Sequence, residues 1–289
     1  MTQTTFCVTA PALDCCFSRI CPPPLTMSTL WFVDGVPSSA VPRLDVDSPW
    51  ARWGDGMYDT LRIEHGVAVD MDLHLDRLLR SCATSAMPAP SREWLRAHLL
   101  VVCEHAARWP SARVRTAVGF VTSATTTCIV SADPYTPPTP DAYARGISLH
   151  ISDVPHPGLG QLGKSLSYQY FRIAARQAAL AGKDDALLLR DGFIRETTTA
   201  AIVWLQGGTW YHVADEAGVL PSTTRQGLER RGWAFTPTAI ATLIDVQAAD
   251  TVVTLSGLQI ATGVSALGQR TWTQPDEWAA RMRAALLES

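Results

Sequence analysis

Apolar and polar residues alternate over 30–36 and 58–64, so both runs read as short β-strands, closed by turns at Asp34-Gly35 and His65-Gly66. From 74 to 87 the period changes. Leu75, Leu78, Leu79 and Cys82 recur at helical spacing, which predicts a helix with one apolar face. A second helix is expected over 91–108 with Ser91 as its N-cap, followed by β-rich runs at 114–121 and 125–132. Residues 134–146 (PYTPPTPDAYARG) hold four prolines, which can continue neither a helix nor a central strand, so this stretch reads as an interdomain linker. Beyond it the pattern predicts a strand at 147–154, a Gly-rich turn at 158–163 and a long helix over 165–181. Strands at 186–189, 201–205 and 210–213 are joined by tight turns at Asp191-Gly192 and Gly207-Gly208. A helix near Ser222, a final strand at 251–255 and a helix around 276–287 complete the chain. The pattern therefore predicts two α/β domains with antiparallel or mixed sheets, 27–133 and 147–289, joined by the linker 134–146.

Composition narrows the class. The chain has 289 residues, 47% hydrophobic and 18% charged, with a net charge of -3, the profile of an ordinary globular protein. That balance carries no electrostatic footprint for nucleic acid or an anionic membrane surface. No apolar run reaches the roughly 20 residues that span a bilayer, so no membrane partner is expected. Residues 1–26 hold four of the seven cysteines and a proline run, without the basic and apolar blocks of a signal peptide. They read as a disordered extension, or as a misassigned start ahead of Met27. The adjacent Cys15 and Cys16 match no CxxC pair, and no metal site is expected. Cys82, Cys103 and Cys128 sit among apolar neighbours and read as reduced, buried thiols of a cytoplasmic protein.

One motif invites a nucleotide reading. Residues 158–165 (GLGQLGKS) satisfy the P-loop pattern after a strand and ahead of a predicted helix, with Lys164 for terminal phosphates and Ser165 for magnesium. The same glycines spell GxGxxG. Against both, Pro155 and Pro157 separate the strand from the glycines, and no second magnesium-binding Asp follows at a strand end. A P-loop protein stands as an alternative.

A different reading of Lys164 uses both halves of the chain. Pyridoxal 5'-phosphate (PLP) chemistry needs a lysine for the Schiff base and a carboxylate to keep the pyridine nitrogen protonated. It also needs a cradle for a dianionic phosphate and a holder for the substrate carboxylate. Five segments, in order over roughly residues 28–270, carry a resemblance: WGDGMYDTLR (53–62) with HLDRL (74–78), GKSLSY (163–168), DDALLLRDGFIRET (184–197), LPSTTRQGL (220–228) and LSGLQIATGVSALG (255–268). Together they resemble the class IV aminotransferases of PLP fold type IV, a group that includes branched-chain and D-amino-acid aminotransferases and aminodeoxychorismate lyase. The resemblance implies a two-domain α/β (α+β) fold, with a small N-terminal domain, a larger mixed-sheet domain and PLP between them, and a homodimer. It implies amino transfer between a small amino acid and a 2-oxo acid, or elimination of pyruvate in the lyase manner.

The resemblance also assigns roles. Lys164 carries the cofactor and then moves the proton between substrate and cofactor; an exposed lysine after a glycine turn is the competing reading. Glu196 sits against the pyridine nitrogen, unless it is a surface Glu paired with Arg195. Thr223 and Thr224 open a helix whose first amides suit a phosphate, although a plain Ser/Thr cap explains the same letters. Arg62, Ser256 and Gly257 complete that cradle. Tyr168, taken as one helical turn after Lys164, faces the cofactor's phenolic oxygen or is a core tyrosine. Arg115, with Arg113 on the same strand face, reaches the substrate, and Tyr58 and Trp53 line the pocket. Three departures from the family stand out. The run GFVTSATTT (119–127) has no arginine, Ala201 replaces a frequent Asn, and Ser222 replaces a Gly.

Overall fold

The structure is a computed structural model and describes residues 29–288, so the expectation for residues 1–26 lies outside the described residues. The N-terminal half contains β1 (Leu30–Val33), β2 (Val36–Ser38), α1 (Pro49–Trp53), β3 (Gly56–Glu64), β4 (Val67–Ala68), α2 (Met71–Thr84), α3 (Arg92–Ala106), β5 (Ser111–Phe120) and β6 (Thr126–Pro134). Its strands form one six-stranded sheet in the order β2-β1-β6-β5-β3-β4. Period-two alternation splits β3 between two surroundings. Met57, Leu61 and Ile63 face a core shared with Leu75, Leu78 and Cys82 of α2 and Leu95, Leu99 and Val102 of α3. Tyr58, Thr60 and Arg62 point the other way, and the antiparallel register sets Thr60 beside Arg115 and Arg62 beside Arg113. Ser91 caps α3 as expected, its hydroxyl accepting the Trp94 N–H.

The linker is not wholly irregular. Pro140 occupies the first turn of α4 (Pro140–Arg145), capped by Thr139, because a proline at that position gives up no helical hydrogen bond. The second half continues through β7 (Ile147–Ile151), α5 (Gln169–Leu180), β8 (Asp185–Arg190), β9 (Phe193–Thr197), β10 (Ala201–Gln206) and β11 (Thr209–Val213). It closes with α6 (Thr223–Arg230), β12 (Thr236–Thr238), α7 (Leu243–Gln247), β13 (Thr251–Ser256), β14 (Ile260–Leu267), β15 (Arg270–Thr271) and α8 (Asp276–Leu287). These strands make a mixed nine-stranded sheet, β12-β11-β10-β13-β14-β7-β8-β9 with β15 paired to β14. Two cores line it. Leu187, Ile194, Trp204 and Val252 fill one, and Val203, Leu228, Val253 and Met282 the other.

Two expectations are corrected. The strand at 251–255 is not the last; β14 follows it and pairs with both β13 and, in parallel, β7. The helix expected from 165 begins only at Gln169. Residues 164–166 are instead extended, because their backbone groups pair with β3: Ser165 bridges Met57, and the Leu166 N–H donates to Gly56 O at 2.9 Å. That removes the helix start a P-loop requires at Lys164-Ser165. The glycines serve another end, since a Cβ on Gly160 would lie 2.1 Å from the Val219 carbonyl carbon and one on Gly218 2.6 Å from Gly158 O. They let two loops pass backbone to backbone.

Candidate active site

Lys164 is placed by backbone pairing before its side chain does anything. Its carbonyl accepts the Tyr58 N–H at 2.8 Å, while Gly163 packs against Ser81 of α2. The ammonium nitrogen Nζ then lies 4.9 Å from the Tyr58 ring centre and 5.6 Å from that of Tyr168. Gly56 makes this docking possible, because a Cβ there would meet Leu166 Cδ1 at 2.6 Å and Val118 O at 2.8 Å. Tyr168 reaches the lysine by the bend at 165–168 and not by helical spacing, since it is the N-cap of α5. Its ring stacks on Phe171 and meets Tyr58 edge-on, and its hydroxyl donates to Thr198 O. Burial, reinforced by Tyr58, Glu196 and Asp185, lifts the Tyr168 phenol well above its usual value, so it remains an O–H donor at neutral pH.

Glu196 is the penultimate residue of β9 and is 7% exposed, which removes the surface-pair reading with Arg195. Arg195 instead donates to Ile194 O and Ala239 O. Glu196 Oε1 accepts from His156 Nε2 at 2.8 Å and from the Leu220 N–H at 3.2 Å. Both donors fall on one oxygen, leaving Oε2 for a further partner. The chain runs directly from Leu220 into α6. Ser222 caps it by accepting the Arg225 N–H, and Thr223 and Thr224 are buried in its first turn, where the amides have no intrahelical acceptor. Arg77 Nη1 donates to Pro221 O at 3.0 Å and ties α2 to this loop.

The remaining expected residues divide. Arg115 lies with its guanidinium carbon 4.1 Å from the Tyr58 ring centre, so Lys164, Tyr58, Tyr168 and Arg115 form one cluster. Arg113 is held by Asp133 at 3.0 Å. Arg62 is buried, pairs with Glu64 and donates to Leu258 O at 2.9 Å, so it joins the 255–268 segment and not the start of α6. Gly257 approaches Thr60, whose carbonyl would be 2.7 Å from a Cβ, and Ser256 Oγ accepts the Gln259 N–H. Trp53 is 67% exposed, and its carbonyl accepts from the Ser167 hydroxyl.

A buried charge cluster escaped the sequence reading. Asp59 of β3 accepts from His74 Nδ1 at 2.7 Å and from Arg77 Nε and Nη2 at 2.7 and 2.9 Å. Burial alone would raise its carboxyl, but Arg77 and His74 outweigh that and hold it well below the usual carboxylate range. His156 was missed as well. The HLDRL helix carried a signal for the first, because His74 and Arg77 are three apart on one face.

These residues fit PLP on their own chemistry: a lysine without an ion-pair partner among the described residues, a buried carboxylate with one oxygen left, and a helix start with neutral hydroxyls. Among the described residues no cluster suits a metal ion, and no helix is long and apolar enough to cross a membrane.

Comparison with known proteins bears on the family and the fold. Residues 56–267 match the family model described as amino-transferase class IV. The fold IV transaminase CpuTA1 from Curtobacterium pusillum superposes with a TM-score of 0.80 at 22% identity, over 90% of this chain and 97% of that one. A hypothetical aminotransferase from Mycobacterium tuberculosis in its PLP-bound form gives 0.78 at 22%, over 90% and 99%. The 4-amino-4-deoxychorismate lyase from Pseudomonas aeruginosa also gives 0.78, at 20%, over 90% and 99%. None of the curated proteins matches the chain in sequence. With the family model spanning most of the chain, from the start of β3 to the end of β14, this protein belongs to the class IV aminotransferases, enzymes whose cofactor is PLP.

Proposed function

We propose that this chain moves an amino group between a small amino acid and a 2-oxo acid, with Lys164 Nζ as the atom that holds PLP. The supporting observation is the pairing of 164–166 with β3, which sets Nζ beside two tyrosine rings, while Glu196 lies buried under the loop that leads into α6. When bound, PLP supplies an electron sink for the carbanion left by loss of the substrate Cα proton. Lys164 Nζ takes and returns that proton. Glu196 Oε2 would face the pyridine nitrogen, Tyr168 would turn its hydroxyl from Thr198 O to the cofactor, and the amides of Thr223 and Thr224 with Gly257 and Ser256 would receive the phosphate. Arg115 and Tyr58 face the substrate carboxylate, with Arg62 and Arg113 bracing the strand face beside them. We read the working unit as a cytoplasmic homodimer in which a partner covers Trp53, Leu159, Leu162 and Tyr170, all exposed beside the lysine loop.

A second reading, elimination of pyruvate from aminodeoxychorismate, is supported by the likeness to the 4-amino-4-deoxychorismate lyase from Pseudomonas aeruginosa. The test is the visible spectrum of the purified chain before and after borohydride, with Lys164→Ala alongside. A band that reduction removes, leaving a pyridoxyl adduct on Lys164, supports the proposal, and the variant should lose roughly 10³-fold or more in turnover. Keto acid formed from amino donors supports transfer, and pyruvate with an aminobenzoate supports the lyase. A chain that stays colourless with added PLP overturns both.

A further inference from the structure

His156 is 2% exposed and sits between two prolines, Pro155 and Pro157. Its two ring nitrogens have different partners. Nδ1 lies 3.0 Å from the Gly158 amide nitrogen, and an amide can only donate, so Nδ1 must be the bare, accepting nitrogen. The ring proton is then on Nε2, 2.8 Å from Glu196 Oε1. Gly158 adopts φ of +71°, the turn that brings its amide back onto the imidazole two residues earlier. A Cβ there would strike the Arg190 guanidinium, 1.5 Å from Nη1, whose own bond is to Pro157 O. The glycine loop that imitates a nucleotide motif is thus built, at its first glycine, to fix a histidine.

We propose that His156 is a positioning residue for Glu196: the Gly158 amide holds its ring as the neutral Nε2–H tautomer, which directs Glu196 Oε1 away and presents Oε2 to the ring nitrogen of PLP. This rests on the reading of Glu196 given above. The physical point is charge. An imidazolium at this distance would be an ion pair and would compete with a protonated pyridine ring for the same carboxylate. A neutral N–H orients the carboxylate and leaves its charge for the cofactor. The other groups around the imidazole do not supply a counter-charge to Glu196: Phe171 meets its edge at 5.6 Å between centroids, and the Arg190 guanidinium bonds to Pro157 O. Leu220 N–H, the second donor on Oε1, is also neutral.

The first test is ¹⁵N NMR of the full chain labelled at histidine, with and without PLP, at pH 7. His156, identified by the signal lost in His156→Gln, should show a bare Nδ1 and a protonated Nε2 in both forms. An imidazolium or the Nδ1–H tautomer overturns the proposal. The second test compares PLP affinity and the position of the visible band. His156→Phe removes the donor and should weaken PLP about tenfold and move the band. His156→Gln keeps an N–H at similar reach and should restore affinity to within about threefold. Equal losses in both variants, with the wild-type band position kept, would make His156 merely structural. Failure of the wild type to bind PLP at all removes the parent reading of Glu196, an outcome distinct from a cationic His156 in a chain that binds PLP normally.

Discussion

Two buried carboxylates, each touching a histidine, have been solved in opposite ways by this fold. Asp59 is 4% exposed and is enclosed by His74 and a two-pronged Arg77, so both its oxygens are taken and a guanidinium balances it. Glu196 receives only neutral donors, both on Oε1, and keeps an oxygen and its charge for something else. A charge saturated on all sides has become part of the scaffold; it pins β3 to α2 and, through Arg77, to the loop ahead of α6. A charge left half-answered in an equally dry place is a demand for a cationic ligand. The difference in partners, not in burial, is what sets Glu196 apart from Asp59.

The comparison can be broken most directly at Glu196. Glu196→Gln retains an acceptor for His156 and Leu220 but loses the charge, so turnover of the PLP-loaded chain should fall roughly 10³-fold while unfolding free energy changes by under about 1 kcal/mol. Steady-state rates beside a urea titration check both halves. Asp59→Asn should do the reverse in kind. It leaves a buried Arg77 poorly matched and should cost about 3 kcal/mol or more in stability, read as a lower urea midpoint.

The acid side sharpens the contrast. Because the folded Asp59 carboxyl lies below its unfolded value of about 3.9, the unfolded chain binds more protons in that window, and stability rises with pH there. The contribution is therefore full above about pH 4 and lost as pH falls through the folded value. Urea midpoints at about pH 5 and pH 3 should drop more for the wild type than for Asp59→Asn. The smallest effect is expected from His74→Gln, which leaves both Arg77 bonds to Asp59 and should cost about 1 kcal/mol.

Local signals were read well where they were self-contained. The apolar period announced α2 and α3, the Ser91 cap stands where its sequence places it, and the C-terminal helix coincides with α8. Long-range pairing was not legible. Residues 165–168 have helix-compatible letters, yet β3 pairs with the backbone of 164–166, a competition that no local window contains. Thr139-Pro140-Asp141 carries a helix start that the density of prolines concealed. β14 was hidden because its alternation is buried on both faces and broken by Gly263. At the site, the lysine, glutamate and threonine segments were recognisable from their order along the chain. His156 and Asp59 were not, since their meaning lies in partners 40 and 15 or more residues away.

The seam between the lysine segment and β3 has one more consequence, for how the molecule breathes. The amide protons of Tyr58 and Leu166 are each spent on the other half of the chain, on Lys164 O and Gly56 O. Neither can exchange with solvent deuterium while the two sheets stay docked. Their exchange rates are therefore a built-in clock for the opening between the halves, and any ligand that seats itself on both sides of the seam will slow that clock without touching either proton.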